Sequence, residues 1–391
     1  MSFIETEEQQ ALREAVAAMA ANYGQDYFLE KARSGKHTDE LWAEAGKHGF
    51  LGVNMPEEYG GGGAGMYELS LVMEEMAANG CPLLMMVVSS AINGTIISKY
   101  GTEEQKKRWV PGLADGSLTM AFAITEPDAG SNSHRITTTA RRDGSDWILS
   151  GAKVWISGVD QAQALLVVGR TEEAKTGNLR PALFVVPTDT PGLSYTKIPM
   201  ELVMPESQFQ VFLDEVRLPA DALVGSEDAA IAQLFAGLNP ERIMGAASAV
   251  GMGRLALTKA DQFREQLAVW AHTLGWAGVV VPIAVAAIAA AAAGWIAARV
   301  PLSAGSGIQH VEAVERGEAE PASASILPAR FIGGLLAIGA GGLVLGREGP
   351  TVHMGAAIGQ VVGSRLRLAR EDLRALHAQM AGAGLAVAQA H

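Results

Sequence analysis

Through the N-terminal part of the chain, apolar positions recur three and four residues apart. Residues 5–23 place Ala11, Leu12, Val16, Met19 and Ala20 at helical spacing behind an acidic first turn. The same pattern predicts helices over 39–48, 67–79 and 84–99, with the glycine run Gly60–Gly63 interrupting it as a loop. From about Thr119 the period shortens. Alternating or continuous apolar segments at 119–124, 134–140, 146–151, 163–169, 182–187 and 208–213 are separated by turn clusters such as Asp143-Gly144 and Thr190-Pro191-Gly192. They predict an antiparallel β-domain. Helical patterning returns at about 226–260, where Asn239-Pro240 reads as a helix start with Asn239 as its cap.

Beyond Lys259 the chemistry of the chain changes. All ten lysines lie at or before that position, and from Asp261 onward nine acidic residues balance nine arginines, so the net charge of -12 belongs to residues 1–260. Between His272 and Arg299 there are 26 residues without a charge, against the roughly 20 that a spanning helix needs. Two further uncharged runs, 331–346 and 349–364, follow a glycine-rich segment at 303–308 and an acidic stretch at 311–320. The expected architecture is therefore multidomain α+β. It comprises an N-terminal helical domain at 1–117, an antiparallel β-domain at 118–225, the start of a helical C-terminal domain at 226–260, and an all-α membrane segment at 261–391.

The acidic balance argues against nucleic acid as a partner, because phosphate binding needs clustered Lys and Arg. The single cysteine, Cys81, excludes an intramolecular disulfide and any cysteine-based metal cluster. Together with a start that lacks a basic-then-apolar leader, it suggests a cytoplasmic setting for residues 1–258, and no metal is expected.

Two segments carry the strongest chemical signal. Phe122-Ala-Ile-Thr-Glu-Pro-Asp-Ala-Gly-Ser131, followed by Gly151-Ala-Lys-Val-Trp-Ile-Ser-Gly158, resembles the paired flavin-binding segments of acyl-CoA dehydrogenases. Gly52-Val-Asn-Met-Pro-Glu-Glu-Tyr-Gly60, Tyr100-Gly-Thr-Glu-Glu-Gln-Lys106 and Leu213-Asp-Glu-Val-Arg-Leu-Pro219 continue that resemblance in the same order over residues 1–258. It implies FAD as cofactor, with Phe122, Ile124, Thr125, Gly130, Ser131, Trp155, Ile156 and Ser157 at the binding site. A flavin ring needs an apolar face, donors at its polar edge and backbone that can approach closely. Trp155, the hydroxyls of Thr125 and Ser157, and Gly130 supply these. Taken singly, Trp155 is an ordinary core aromatic and Ser131 a turn cap; the ordered set favours flavin. Asp128 and Asn132 depart from the family's commoner Gly and Asp.

The resemblance also implies the reaction, α,β-dehydrogenation of an acyl-CoA thioester. A carboxylate must remove the α-proton while the β-hydride leaves for the flavin. Glu241, immediately before Arg242, matches the helix-borne base of one branch of the family, while its bland reading is a carboxylate at a helix N-terminus. Ser131 and Arg242 are the implied substrate contacts. Electron-transfer flavoprotein is the implied electron acceptor, and a homo-oligomer the implied assembly. The match stops near Thr258, so the C-terminal helical domain is expected to be truncated and turnover impaired.

The remainder carries a second resemblance. Ala304-Gly-Ser-Gly-Ile308, Gly346-Arg-Glu-Gly-Pro-Thr351 and Gly382-Ala-Gly-Leu-Ala386 resemble segments of the chloride channel (CLC) family. That resemblance implies an anion site at Ser306 and a gating carboxylate at Glu348. It leaves two further readings of the chain: a fragment of a chloride channel or proton/chloride antiporter, or a fusion of two reading frames with no function as a unit.

Overall fold

The computed structural model describes residues 5–130, 132–172, 179–226, 230–273, 275, 277–305, 307–340, 348–365, 373, 376–377 and 380–381. The chain divides into two compact units, Met1–Leu255 and Ala256–His391. In the first, six helices precede a sheet: α1 (Glu7–Ala21), α2 (Gly24–Ser34), α3 (Asp39–Lys47), α4 (Met66–Ala78), α5 (Thr95–Tyr100) and α6 (Glu103–Asp115), with a π-helical run at Met86–Gly94. Helix α1 opens on a capping box. The Thr6 side chain accepts from the Gln9 N–H at 3.3 Å, and Gln9 Oε1 accepts from the Thr6 N–H at 3.0 Å. Thr102 and Gln105 repeat the device on α6. There Gln105 Nε2 also donates to Asp221 O and Leu223 O, at 2.7 and 2.9 Å. The motif at 100–106 thus ties the helices to the far end of the sheet.

Eight strands follow: β1 (Met120–Ala123), β2 (Thr139–Asp143), β3 (Asp146–Ser157), β4 (Ala164–Glu172), β5 (Leu179–Pro187), β6 (Leu193–Ile198), β7 (Gln208–Leu218) and β8 (Leu223–Val224). Their order is β6-β7-β3-β2-β4-β5-β8, with β1 beside β4. The sheet is mixed, which corrects the antiparallel expectation: β1 runs parallel to β4, and β2 meets β4 in parallel at Thr139 and Arg170. Strand direction depends on how the connections cross, and apolar alternation alone does not encode it.

Both faces of the sheet are covered, and β4 shows how. Ala164, Leu166 and Val168 pack into one core with Met85, Val88 and Ile92 of the helical domain, while Leu165 and Val167 pack into another with Trp147 and Phe184. Burial on both sides explains why β4 reads as a continuous apolar run. A third core lies among α1, α3 and α4 and takes in Met244 and Ala247. Those two belong to α7 (Ala230–His272), whose buried positions Gln233, Gly237, Pro240, Met244, Ala247 and Gly251 recur three and four apart. A Cβ on Gly237 would sit 2.5 Å from Ile96 Cδ1. Only glycine permits that close approach.

The expectation that α7 begins at Pro240 is corrected. Pro240 lies inside the helix, and the Asn239 side chain accepts from Arg242 Nη1 at 2.9 Å instead of capping an N-terminus. Tertiary burial of the helix carries it through a residue that removes one backbone hydrogen bond.

The second unit contains α8 (Ala277–Arg299), α9 (Ile308–Arg316), α10 (Ile326–Gly334) and α11 (Glu348–Arg365). Among the described residues no helix is long and apolar enough to cross a membrane, which corrects the expected membrane segment. Helix α8 carries no charge before Arg299, and eleven of its 23 residues are alanine. Buried Arg330 on α10 donates to Gly305 O at 3.0 Å and Leu302 O at 2.9 Å, and His310 meets His353 at 3.0 Å. Ser306 lies outside the described residues, and Glu348 is the first residue of α11.

Candidate active site

The two glycine-bearing segments singled out in the sequence lie side by side, held by a buried ion pair. Lys153, fully buried on β3, donates to Glu126 Oε1 at 2.8 Å, to Ile124 O at 3.1 Å and to Val168 O at 2.6 Å. Glu126 also accepts four donors from two neighbouring residues. These are the Thr137 N–H and hydroxyl, at 2.5 and 2.8 Å, and the Thr138 N–H and hydroxyl, at 2.9 and 2.6 Å. Burial alone would raise this carboxyl; Lys153 and the four donors outweigh it and hold the pKa down at about 2. The Val154 N–H donates to Thr125 O at 3.0 Å, completing the join. Glu126 and Ala129 close a tight turn by exchanging backbone hydrogen bonds at 3.1 Å.

A bulge then turns Trp155 outward. Lys153 pairs with Val211 and Ile156 with Phe209, so β3 carries one residue more than β7 across this step. Strict alternation from Lys153 would bury Trp155; the extra residue buries Ile156 and leaves the Trp155 ring 55% exposed. The backbone of Trp155 takes φ 58°, a left-handed conformation that bulky residues adopt at a cost of about 1–2 kcal/mol. Ser157, two residues on, is half-buried, and its hydroxyl meets the Gln208 side chain.

The other sequence-selected residues fall into two groups. Phe122 is buried in the core shared with the helical domain, with half-buried Ile124 packed against it. Ile156 is buried in the opposite core, so only its backbone can meet a ligand. Thr125 is half-buried and Gly130 exposed. A Cβ on Gly130 would meet nothing within 4 Å, so this chain's own packing does not demand glycine there. Ser131 lies outside the described residues. Missed in the sequence were Glu126 and Lys153 as a pair, and Gln208. A signal was present for Lys153, a lone charge between Ala152 and Val154 on β3, since a buried charge needs a partner; Glu126, between Thr125 and Pro127 in the loop after β1, gave none.

Glu241 stands on α7 at the flank of its buried face. Seven residues span about two turns, so Leu234, Glu241 and half-buried Ser248 share one line along the helix. Leu234 belongs to the core that contains Phe122 and Met85. The Glu241 side chain retains exposed surface, yet the protein around its carboxyl disfavours the charge and raises its pKa, with Arg242 opposing. Arg242 is exposed.

Comparison with known proteins gives this arrangement its family. The acyl-CoA dehydrogenase N-terminal domain matches residues 6–117 and the middle domain residues 121–216, while a voltage gated chloride channel family matches residues 288–389. Acyl-CoA dehydrogenase FadE12 of Mycobacterium tuberculosis (strain ATCC 25618 / H37Rv) is 78% identical over 274 residues, which are 70% of this chain and 71% of that protein. A glutaryl-CoA dehydrogenase from Mycobacterium smegmatis, solved in complex with FADH2, shares the fold with a TM-score of 0.60 and 26% identity. The match covers 97% of this chain and 90% of the other. Butyryl-CoA dehydrogenase from Megasphaera elsdenii gives a TM-score of 0.64 at 21% identity, over 98% of this chain and 95% of that one. The likeness in fold extends through the later helices as well as the sheet, and the chain belongs to the acyl-CoA dehydrogenase family.

Proposed function

We propose that this chain oxidises an acyl-CoA thioester to its α,β-unsaturated product, with FAD as cofactor and Glu241 as the base. The observation that carries the reading is the locked pair of segments, 122–130 and 151–158. Their join exposes the Trp155 ring while placing the Ser157 hydroxyl two residues away. These residues fit a flavin: an exposed aromatic face, hydroxyls at Thr125 and Ser157, and open space over Gly130. When bound, FAD supplies the acceptor for the β-hydride, and electron-transfer flavoprotein is the proposed next acceptor. Residues of the chain do the rest. Trp155 packs on the ring, Ser157 donates to its polar edge, and Ser131 and Arg242 contact the substrate. Glu241 takes the α-proton, and its raised pKa makes it a stronger base than an ordinary surface carboxylate.

The domain division proposed for this activity is helical at 1–117, flavin-binding at 118–225 and helical from 226. The test is to purify the full chain, measure FAD retention by visible absorbance, and add saturated acyl-CoA thioesters without oxygen. Flavin retention and bleaching by acyl-CoA are expected. Retention without bleaching by any chain length would contradict the proposed reaction.

A second reading applies to residues 288–389, favoured by the chloride channel family match over that stretch. There Ser306 and Glu348 are the proposed anion ligand and gating carboxylate, and the two stretches are pieces of two families joined in one chain. Chloride binding that is lost in Ser306→Ala supports the anion site. Sequencing codons 255–265 in independent clones tests the join.

A further inference from the structure

Three consecutive residues at the start of β7 each make one link, and together they form a device behind Ser157. Glu206, 3% exposed, is buried with the backbone of Leu84 and Met85, just before the π-helical run, favouring its charge. Ser207 O accepts from the Gly158 N–H at 2.9 Å. Gln208 reaches the Ser157 hydroxyl, with Nε2 at 2.8 Å and Oε1 at 3.1 Å from Oγ. Gly158 itself has φ 64°, and a Cβ there would sit 2.4 Å from Met85 Sδ. The strand start, the turn after β3 and the entry to the π-helical run therefore brace one another.

The Ser157 hydroxyl has one proton to give and can accept from others. If Gln208 Oε1 were its partner, that proton would be consumed inside the protein. The shorter contact is to Nε2, which donates to Oγ; the longer, in which the hydroxyl donates to Oε1 at 3.1 Å, is the one it gives up on turning to another acceptor. We propose that Gln208, held in place by Glu206 and Ser207, is a positioning residue that fixes the Ser157 hydroxyl as a donor toward the flavin. The inference rests on the flavin site described above and adds to it a residue outside both glycine-bearing segments. Gln208 acts through Ser157 and touches neither flavin nor substrate.

An isosteric change separates this role from a structural one. In Gln208→Glu the side chain keeps its length and shape, but its carboxylate accepts the Ser157 proton and takes it from the flavin. Measured on the full chain, FAD dissociation constant and visible flavin spectrum should both move to the values of Ser157→Ala. That is a weakening of about fivefold to tenfold for one lost hydrogen bond. The double variant Ser157→Ala/Gln208→Glu should be no worse than Ser157→Ala alone. Should Gln208→Glu fail to fold, Gln208→Met carries the same test through loss of the donor. A wild-type spectrum and affinity in the Gln208 variant, with Ser157→Ala altered, overturns the inference and leaves the flavin site standing. A wild-type spectrum and affinity in Ser157→Ala overturns both.

Discussion

In residues 1–255 most large apolar side chains face inward, with Trp155 and Leu202 among the exceptions. Trp147, Phe184, Leu41, Leu51 and Met55 are all under 2% exposed, and three extended cores take in helices and both faces of the sheet. In residues 256–391 many of the described large side chains face outward, though Val311 and Ile326 are buried. Phe263, Trp270, Ile283, Ile288, Trp295 and Phe331 are each more than half exposed, and the two cores there hold four and three buried residues. The first region has exposed ion pairs such as Arg141–Glu215, but also a fully buried one, for which the described residues of the second show no counterpart. Lys153 and Glu126 are 0% and 3% exposed, whereas Arg316 and Glu312 are 60% and 57% exposed. The first region supplies the surroundings its side chains need. The second leaves large apolar side chains exposed among its described residues.

The contrast can be broken most sharply at Lys153. Lys153→Met leaves Glu126 buried beside Thr137 and Thr138 without its cation, and should destabilise residues 1–255 by about 3–5 kcal/mol. Denaturant unfolding followed by Trp147 fluorescence would read it. A loss of under about 1 kcal/mol, the size typical of surface pairs, would mean that the buried pair does not organise the site.

A smaller effect is expected at Glu206, whose carboxyl burial pushes up to about 7 from an ordinary 4.5, with His37 opposing. The folded protein then keeps a proton that the unfolded chain releases above about 4.5. Stability therefore falls as pH rises from about 4.5 to 7 and levels off beyond. Glu206→Gln keeps the neutral shape at every pH. It should raise stability by about 3 kcal/mol above neutrality and leave it unchanged below pH 4.5. A pH-independent change would contradict the assignment of that burial cost.

The smallest effect concerns strain. Trp155→Gly removes a left-handed tryptophan and should stabilise the fold by about 1 kcal/mol while weakening FAD retention. Stability and cofactor binding moving in opposite directions would show that the backbone is held there for the ligand. If both fall together, Trp155 is a packing residue.

These residues also mark what the sequence could convey. Helix α1 and strand β4 were legible because burial imposes a period of 3.6 on one and near-continuous apolar residues on the other. Strand β6 was not, since Leu193-Ser-Tyr-Thr-Lys-Ile198 has largely exposed residues and therefore no inward period. The Trp155 bulge belongs to the pairing of two strands and is invisible in either one. The return of helix at about 226 was legible, but Asn239-Pro240 was misread as a helix start because it carries the local chemistry of a cap, while burial of Leu234 and Gly237 carries α7 through it. Of the site, both flavin segments could be read as ordered motifs. The Lys153–Glu126 pair that joins them spans 27 residues and needed the fold.

Glu241 is the proposed α-proton base of a flavin dehydrogenase. Its most direct test is single-turnover bleaching of the FAD-loaded chain by acyl-CoA, compared between wild type and Glu241→Gln. The substitution keeps the side chain's size and removes its basicity. Flavin retention and acyl-CoA binding should persist, and bleaching should slow by about 10²–10⁴-fold. Bleaching at the wild-type rate in Glu241→Gln would contradict the claim and leave Glu241 an ordinary flank residue of α7.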